Sequence, residues 1–283
     1  MKLAIGTANF FSNYGLNKYK LNSKKIFNIL NLAKKLNILY LDCALSYGTY
    51  KSISKDSILK KFKITSKIIV NKTLLTKKKY EYDLLKSIEK HIKNLKIDFL
   101  ENLLVHNFYE FSKKDIYFLS QIMEKIKKNG LTKNIGISVY ETKELEATWN
   151  IWQPNVVQLP INVIDRRFLI EGWINKLYKN GIDIHARSIF LQGVLININS
   201  TKRKFRNNNL FNTFFEWCFK KNIQPLEACI NFVKYLKINR IILGIDNHKQ
   251  LLNLYNYFKI SDRITFTRGI ASNNLNFIDP RKW

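Results

Sequence analysis

Short apolar runs alternate with longer amphipathic stretches along the whole chain. Lys2–Thr7 reads as a strand, followed by a helix over Ser23–Leu36 with Ser23 as N-cap. Ile38–Asp42 is a second strand and Lys51–Phe62 a second helix. The apolar run in Lys67–Thr73 (KIIVNKT) predicts strand three, with a helix over Tyr80–Leu95 behind it. Asp98–His106 contains strand four, and the helix Lys113–Asn129 ends at Gly130, a C′ position. Lys133–Ser138, Val156–Pro160, Asp183–Ser188 and Arg240–Gly244 supply strands five to eight. Helices over Thr142–Asn150, Arg167–Asn180 (closed by Gly181), Leu210–Leu236 (broken near Pro225) and Asn247–Phe258 separate and follow them.

Eight βα units of about 30 residues match the beat of a (β/α)8 TIM barrel. The alternative is an open doubly wound sheet, and the absence of GxGxxG after strand one favours the barrel. With 283 residues and no visible boundary, the chain is expected to form one domain over residues 1–283. The polar stretch Asn197–Asn209 reads as a loop after strand seven, and the tail beyond Arg268 as an irregular cover over one barrel end.

Composition narrows the function classes. The apolar fraction of 46% is that of a folded globular chain. Lys and Arg number 48 against 21 Asp and Glu, a formal charge of +27 that suits phosphorylated metabolites, nucleic acid or a membrane surface. The basic residues are spread over helix faces and turns, so no specific nucleic-acid partner is expected. Three cysteines without a CxxC pair and four scattered histidines give neither a disulfide framework nor a metal site. The opening MKLAIGTANF is too short in its apolar stretch for a signal peptide, and no run approaches the ~20 residues of a membrane span. A cytoplasmic protein, monomeric or weakly homo-oligomeric, is expected.

Chemistry on a barrel of this type belongs at the C-terminal strand ends. Asp42 closes strand two, Tyr47 follows in the loop ALSYG, Lys72 ends IIVNK and His106 ends LLVH. Each has an ordinary alternative: a loop-capping Asp, a Lys reaching solvent, a hydrogen-bonded core His, a loop aromatic. Their convergence on one barrel mouth argues for a shared site, because a carboxylate or ammonium turned into a barrel is costly unless paired.

These residues resemble the aldo-keto reductase family. LAIGTANF…NYG resembles its first strand and loop, LYLDCALSYG its second-strand signature, IIVNK and LLVHN its lysine and histidine strands, and VVQLPINVIDRR its sixth-strand segment. The ending FIDPRKW is similar to members found with bacterial surface-polysaccharide genes, implying a role in carbohydrate metabolism. The resemblance implies an NAD(P)H-dependent reductase of a small-molecule aldehyde or ketone, such as a sugar or nucleotide-sugar carbonyl. It makes Tyr47 the proton donor, Lys72 and Asp42 its ion-paired supporters and His106 the group that orients the carbonyl. A phenol titrates near ~10, so a neighbouring ammonium that favours phenolate is what makes such a donor effective.

The same resemblance assigns the nicotinamide carboxamide to Ser138 and Gln158, the ring face to Arg187, the pyrophosphate to Ser188 through Gly193, and the adenosine end to Gly244, Asp246 and Lys249. NADP is expected ahead of NAD. Three positions depart from the family pattern: Val139 stands where Asn is usual, Arg187 where an aromatic is usual, and Leu254 where a helix Asn is usual. Those departures motivate an alternative, a non-catalytic cofactor-binding regulatory module on the same fold.

Overall fold

The structure, a computed structural model, describes residues 2–11, 21–47, 58–200, 203–260 and 262–283. Among them, eight parallel strands close into a barrel: β1 (Leu3–Gly6), β2 (Tyr40–Asp42), β3 (Lys63–Ile68), β4 (Leu100–Val105), β5 (Thr132–Ser138), β6 (Val156–Pro160), β7 (Asp183–Arg187) and β8 (Arg240–Gly244). Each pairs with its sequence neighbour, and β8 returns to β1 with Leu3 opposite Ile241. The expected (β/α)8 TIM barrel is the observed fold.

The longer helices pack outside: α1 (Ser23–Lys35), α2 (Lys78–Leu95), α3 (Lys113–Lys128), α4 (Thr142–Trp149), α5 (Trp173–Lys179), α6 (Asn209–Lys220), α7 (Pro225–Lys234) and α8 (His248–Ile260). Their apolar faces follow the 3.6-residue period; α1 buries Ile26, Ile29, Leu30 and Ala33. The N-cap of α1 is Asn22, whose side chain accepts from the Lys25 amide, one residue before the expected Ser23. α3 opens on a capping box between Ser112 and Asp115 and ends with Gly130 at a φ of 73°, the left-handed position that glycine adopts without strain.

Strand three differs from the expectation. It runs over Lys63–Ile68, four residues upstream of its anticipated start. The run Ile68–Val70 carries the stronger apolar signal, yet Ile69 is 60% exposed beyond the strand. The true strand, KITSKI, alternates. Ser66 Oγ lies 2.9 Å from His91 Nε2 on α2, so even positions face the helices, Thr65 and Lys67 face the barrel interior, and Lys63 is exposed at the start of the strand. The expected helix Lys51–Phe62 lies partly outside the described residues, and Ile58–Lys61 is a 3-10 turn. The expected helix Arg167–Asn180 is split by Gly172 at a φ of 79° into one turn, Arg167–Ile170, and α5. The tail holds a single helical turn, Leu275–Ile278, and a 3-10 turn, Pro280–Lys282.

Polar side chains line the barrel interior and are satisfied across strands. Asn102 Nδ2 donates to Thr65 Oγ1 at 2.8 Å, and Asn134 Nδ2 to Asn102 Oδ1 at 3.1 Å, tying β3, β4 and β5. Gly136 on β5 is required by close approach: a Cβ there would stand 2.2 Å from the Val156 carbonyl oxygen and 2.6 Å from Leu104 Cδ2.

Candidate functional site

Asp42 is the last residue of β2 and points inward, where its carboxylate meets two side chains. Lys67 Nζ donates to Oδ2 at 2.6 Å and Gln158 Nε2 to Oδ1 at 2.8 Å. Lys67 also donates to the Cys43 carbonyl at 3.0 Å. Asp42 and Lys67 side chains are 9% and 2% exposed, so this is a buried ion pair, flanked by the hydrogen bonds from Gln158 and to the Cys43 carbonyl. The Lys67 ammonium stands 5.6 Å from the centre of the Tyr47 ring, on the 3-10 turn Leu45–Tyr47 that follows β2. The Tyr47 and His106 rings meet edge to face, 6.4 Å between centres.

Lys72, the sequence-expected partner of Asp42, is elsewhere. It lies on the exposed turn Lys72–Leu74 with its ammonium 3.5 Å from the Glu110 carbonyl oxygen. The misassignment follows from the strand-three shift: with β3 ending at Ile68, Lys67 is the lysine whose side chain enters the barrel at the height of Asp42. The period-2 pattern of KITSKI carried that signal and was outweighed by the apolar run after it. Asp42, Tyr47 and His106 do come together, around Lys67 instead of Lys72.

His106 follows β4 directly. Burial, reinforced by the positive charges of Lys67 and Arg187, lowers its imidazole to about 4. It is therefore neutral near pH 7 and carries one N–H donor for an oxygen placed between it and Tyr47.

Two buried polar atoms beside this cluster have no hydrogen-bond partner: Ser138 Oγ and Gln158 Oε1. Ser138 and Gln158 are register partners on β5 and β6, so the two atoms sit on adjacent strand ends. Buried polar atoms are rarely left unsatisfied, and this pair matches the donors and acceptors of a primary amide such as a nicotinamide carboxamide. The donor set fits that cofactor.

Arg187 ends β7. Its guanidinium lies over the Tyr140 ring at 4.1 Å and Nη2 donates to the Val139 carbonyl at 2.8 Å. Arg281 covers the same ring at 3.7 Å and is bidentate to Asp279, so the tail docks against the end of β5 through Tyr140. This tail contact was not legible in the sequence. After β7, three non-glycine residues, Ser188, Leu191 and Gln192, have positive φ, followed by Gly193, a concentration of strained backbone of the kind found at ligand loops. Gly244 is the exposed last residue of β8 and Asp246 is exposed just after it, with Asp246 Oδ1 accepting from Asn9 Nδ2 at 3.0 Å; Lys249 is exposed on the first turn of α8. Leu254, where the family places an Asn, is buried in the core. Among the described residues no group of His, Cys, Asp and Glu is placed to hold a metal, and no helix is long and apolar enough to cross a membrane.

Comparison with known proteins gives a consistent result. The profile of the Aldo/keto reductase family matches residues 2–265. The fold is similar to aldo-keto reductase AKR11C1 from Bacillus halodurans in its holo form, with a TM-score of 0.73 and 14% identity over 93% of this chain and 88% of that one. It is also similar to the glycerol dehydrogenase AKR11B4 from Gluconobacter oxydans, with a TM-score of 0.67, 14% identity, and 93% and 88% coverage. A third similar structure is an aldo/keto reductase from Klebsiella pneumoniae in complex with NADP and acetate, with a TM-score of 0.66, 12% identity, and 93% and 87% coverage. No curated protein matches the chain.

Proposed function

Since the chain belongs to the aldo/keto reductase family, whose members are NAD(P)H-dependent oxidoreductases of carbonyl compounds, we propose that Asp42, Tyr47, Lys67 and His106 are its catalytic residues. The observation that carries this reading is the buried Lys67–Asp42 pair beside the Tyr47 ring, with a neutral imidazole in edge-to-face contact with that ring.

A reduced nicotinamide, when bound, supplies a hydride to the carbonyl carbon. The chain's residues handle the oxygen. His106 donates a hydrogen bond to it and resists the build-up of negative charge. Tyr47 transfers its phenolic proton to the alkoxide, which leaves a phenolate. The Lys67 ammonium stabilises that phenolate, and Asp42, 2.6 Å from the ammonium, holds it in position. Gln158 fixes the free oxygen of Asp42, so the carboxylate cannot swing away from Lys67.

Ser138 and Gln158 would hold the carboxamide through their unpartnered oxygens. Arg187 would flank the ring, Ser188 to Gly193 would serve the pyrophosphate, and Gly244, Asp246 and Lys249 the adenosine end. The net charge of +27 supports NADPH over NADH, because the additional phosphate is drawn to a basic surface. A sugar-like carbonyl is the proposed substrate, supported by the resemblance of the ending FIDPRKW to reductases of surface-polysaccharide loci. Titration with NADPH and NADH, followed by a panel of aldehydes, ketones and keto-sugars, tests the reading. Turnover that disappears in Tyr47→Phe supports it; cofactor binding without turnover on any carbonyl would favour a regulatory module.

A further inference from the structure

One cation at the cofactor side of the site is left unmatched by its carboxylate neighbours. Lys67 has Asp42 at 2.6 Å, whereas no carboxylate among the described residues lies within 4.0 Å of Arg187. Three carboxylates feel its charge; two are paired with other guanidinium groups, and the third, Glu144, has one buried oxygen without a partner and is raised above the ordinary carboxylate range by burial, which weakens it as a counter-charge. Asp165 is bidentate to Arg167, Asp279 is bidentate to Arg281, and Glu144 Oε1 accepts from the amides of Tyr140 and Glu141.

The guanidinium is also fixed in place. One face rests on Tyr140, and Nη2 is tied to the Val139 carbonyl at 2.8 Å. Val139 directly follows Ser138, whose hydroxyl is half of the carboxamide seat. A ring whose carboxamide occupies that seat therefore lies beside a half-buried positive charge that cannot withdraw into solvent without losing both contacts.

We propose that Arg187 makes this site discriminate between the two oxidation states of its cofactor, favouring the neutral dihydropyridine over the cationic pyridinium. The inference rests on the assignment of Ser138 and Gln158 to the carboxamide. The oxidised ring carries a positive charge that the reduced ring lacks, so guanidinium repulsion acts on one form alone. Phosphate and ribose contacts are common to both forms and cancel in the affinity ratio. At the effective dielectric of a partly buried site, repulsion over several ångströms changes affinity by roughly ten- to a hundredfold. The protein then draws the reduced form from a mixed pool and releases the oxidised form readily. By linkage, the equilibrium on the enzyme shifts against hydride donation by the same factor.

The test is equilibrium titration of the full chain, by fluorescence or calorimetry, with NADPH, NADP+, NADH and NAD+ separately. Wild type is expected to bind the reduced member of its preferred pair about tenfold or more tightly than the oxidised one. In Arg187→Gln the ratio should fall towards one, and in Arg187→Lys most of it should survive. Thermal melts report whether each variant folds, and Arg187→Tyr serves as a second neutral replacement. Equal binding of both oxidation states by wild type, or an unchanged ratio in the neutral variants, overturns the proposal. Failure of all four dinucleotides to bind overturns the nicotinamide reading itself, which separates the two failures.

Discussion

Two lysines five positions apart in the chain make the sharpest test of the site. Replacing Lys67 by Met keeps much of the side-chain volume but leaves the Asp42 carboxylate facing only Gln158 in a position 9% exposed. Removing one partner of a buried pair costs about 3–5 kcal/mol, because the remaining charge is uncompensated. At about 2–4 °C per kcal/mol, the melting temperature should drop by roughly 6–20 °C. Turnover should fall by about 10²–10⁴, the usual worth of assisted proton transfer. Lys72→Met, on an exposed turn, should change stability by less than about 0.5 kcal/mol and leave turnover intact. The double variant Asp42→Asn with Lys67→Met removes both charges and should regain most of the lost stability without regaining turnover. Melts and steady-state rates on one working carbonyl suffice. If Lys72→Met abolished turnover while Lys67→Met preserved it, the geometry of the pair would be irrelevant to the chemistry.

Tyr47→Phe should lower kcat by about 10²–10⁴ while cofactor affinity stays within about twofold, because only the proton donor is lost; a variant retaining wild-type turnover would remove Tyr47 from the mechanism. His106, neutral down to about 4, should give no acid limb near 6.5 in kcat/KM measured in short assays between pH 7 and 5. Stability should nevertheless decline over that range. His91 and His185 are lowered to about 4 and about 3 by burial, so the unfolded chain takes up their protons near 6.5 while the folded chain does not. The stability they contribute is present above 6.5 and lost as pH falls below it, about 2 kcal/mol for each by pH 5. Denaturant melts at pH 7 and 5 measure the loss, and His91→Gln, which still offers Ser66 a partner, should remove its own share; identical curves at both pH values would contradict the burial argument.

The barrel was legible because its signals are long and repeated. Helix faces such as Ile26, Ile29, Leu30 and Ala33 and punctuation such as Gly130 and Gly181 reinforce one another over many residues. Asp42 and His106 were legible for a related reason: each terminates an unambiguous apolar strand. Lys67 was not, since β3 is half polar on its inner face and the neighbouring Ile68–Val70 mimics a buried strand. The link from Gln158 to Asp42 spans 116 positions, and the docking of Arg281 on Tyr140 joins the tail to β5. Contacts of that separation are products of barrel closure and leave no local pattern in the chain.

The amide bridge from Asn134 through Asn102 to Thr65 works as an alignment pin. Sliding β3 by one residue would turn Lys67 out among the helices, and sliding it by two would take Thr65 away from Asn102. The ammonium is thus indexed to its height by polar groups one layer below it. Changes at Asn102, remote from any ligand, should blur the spacing between Lys67 and Asp42 before they loosen the barrel as a whole.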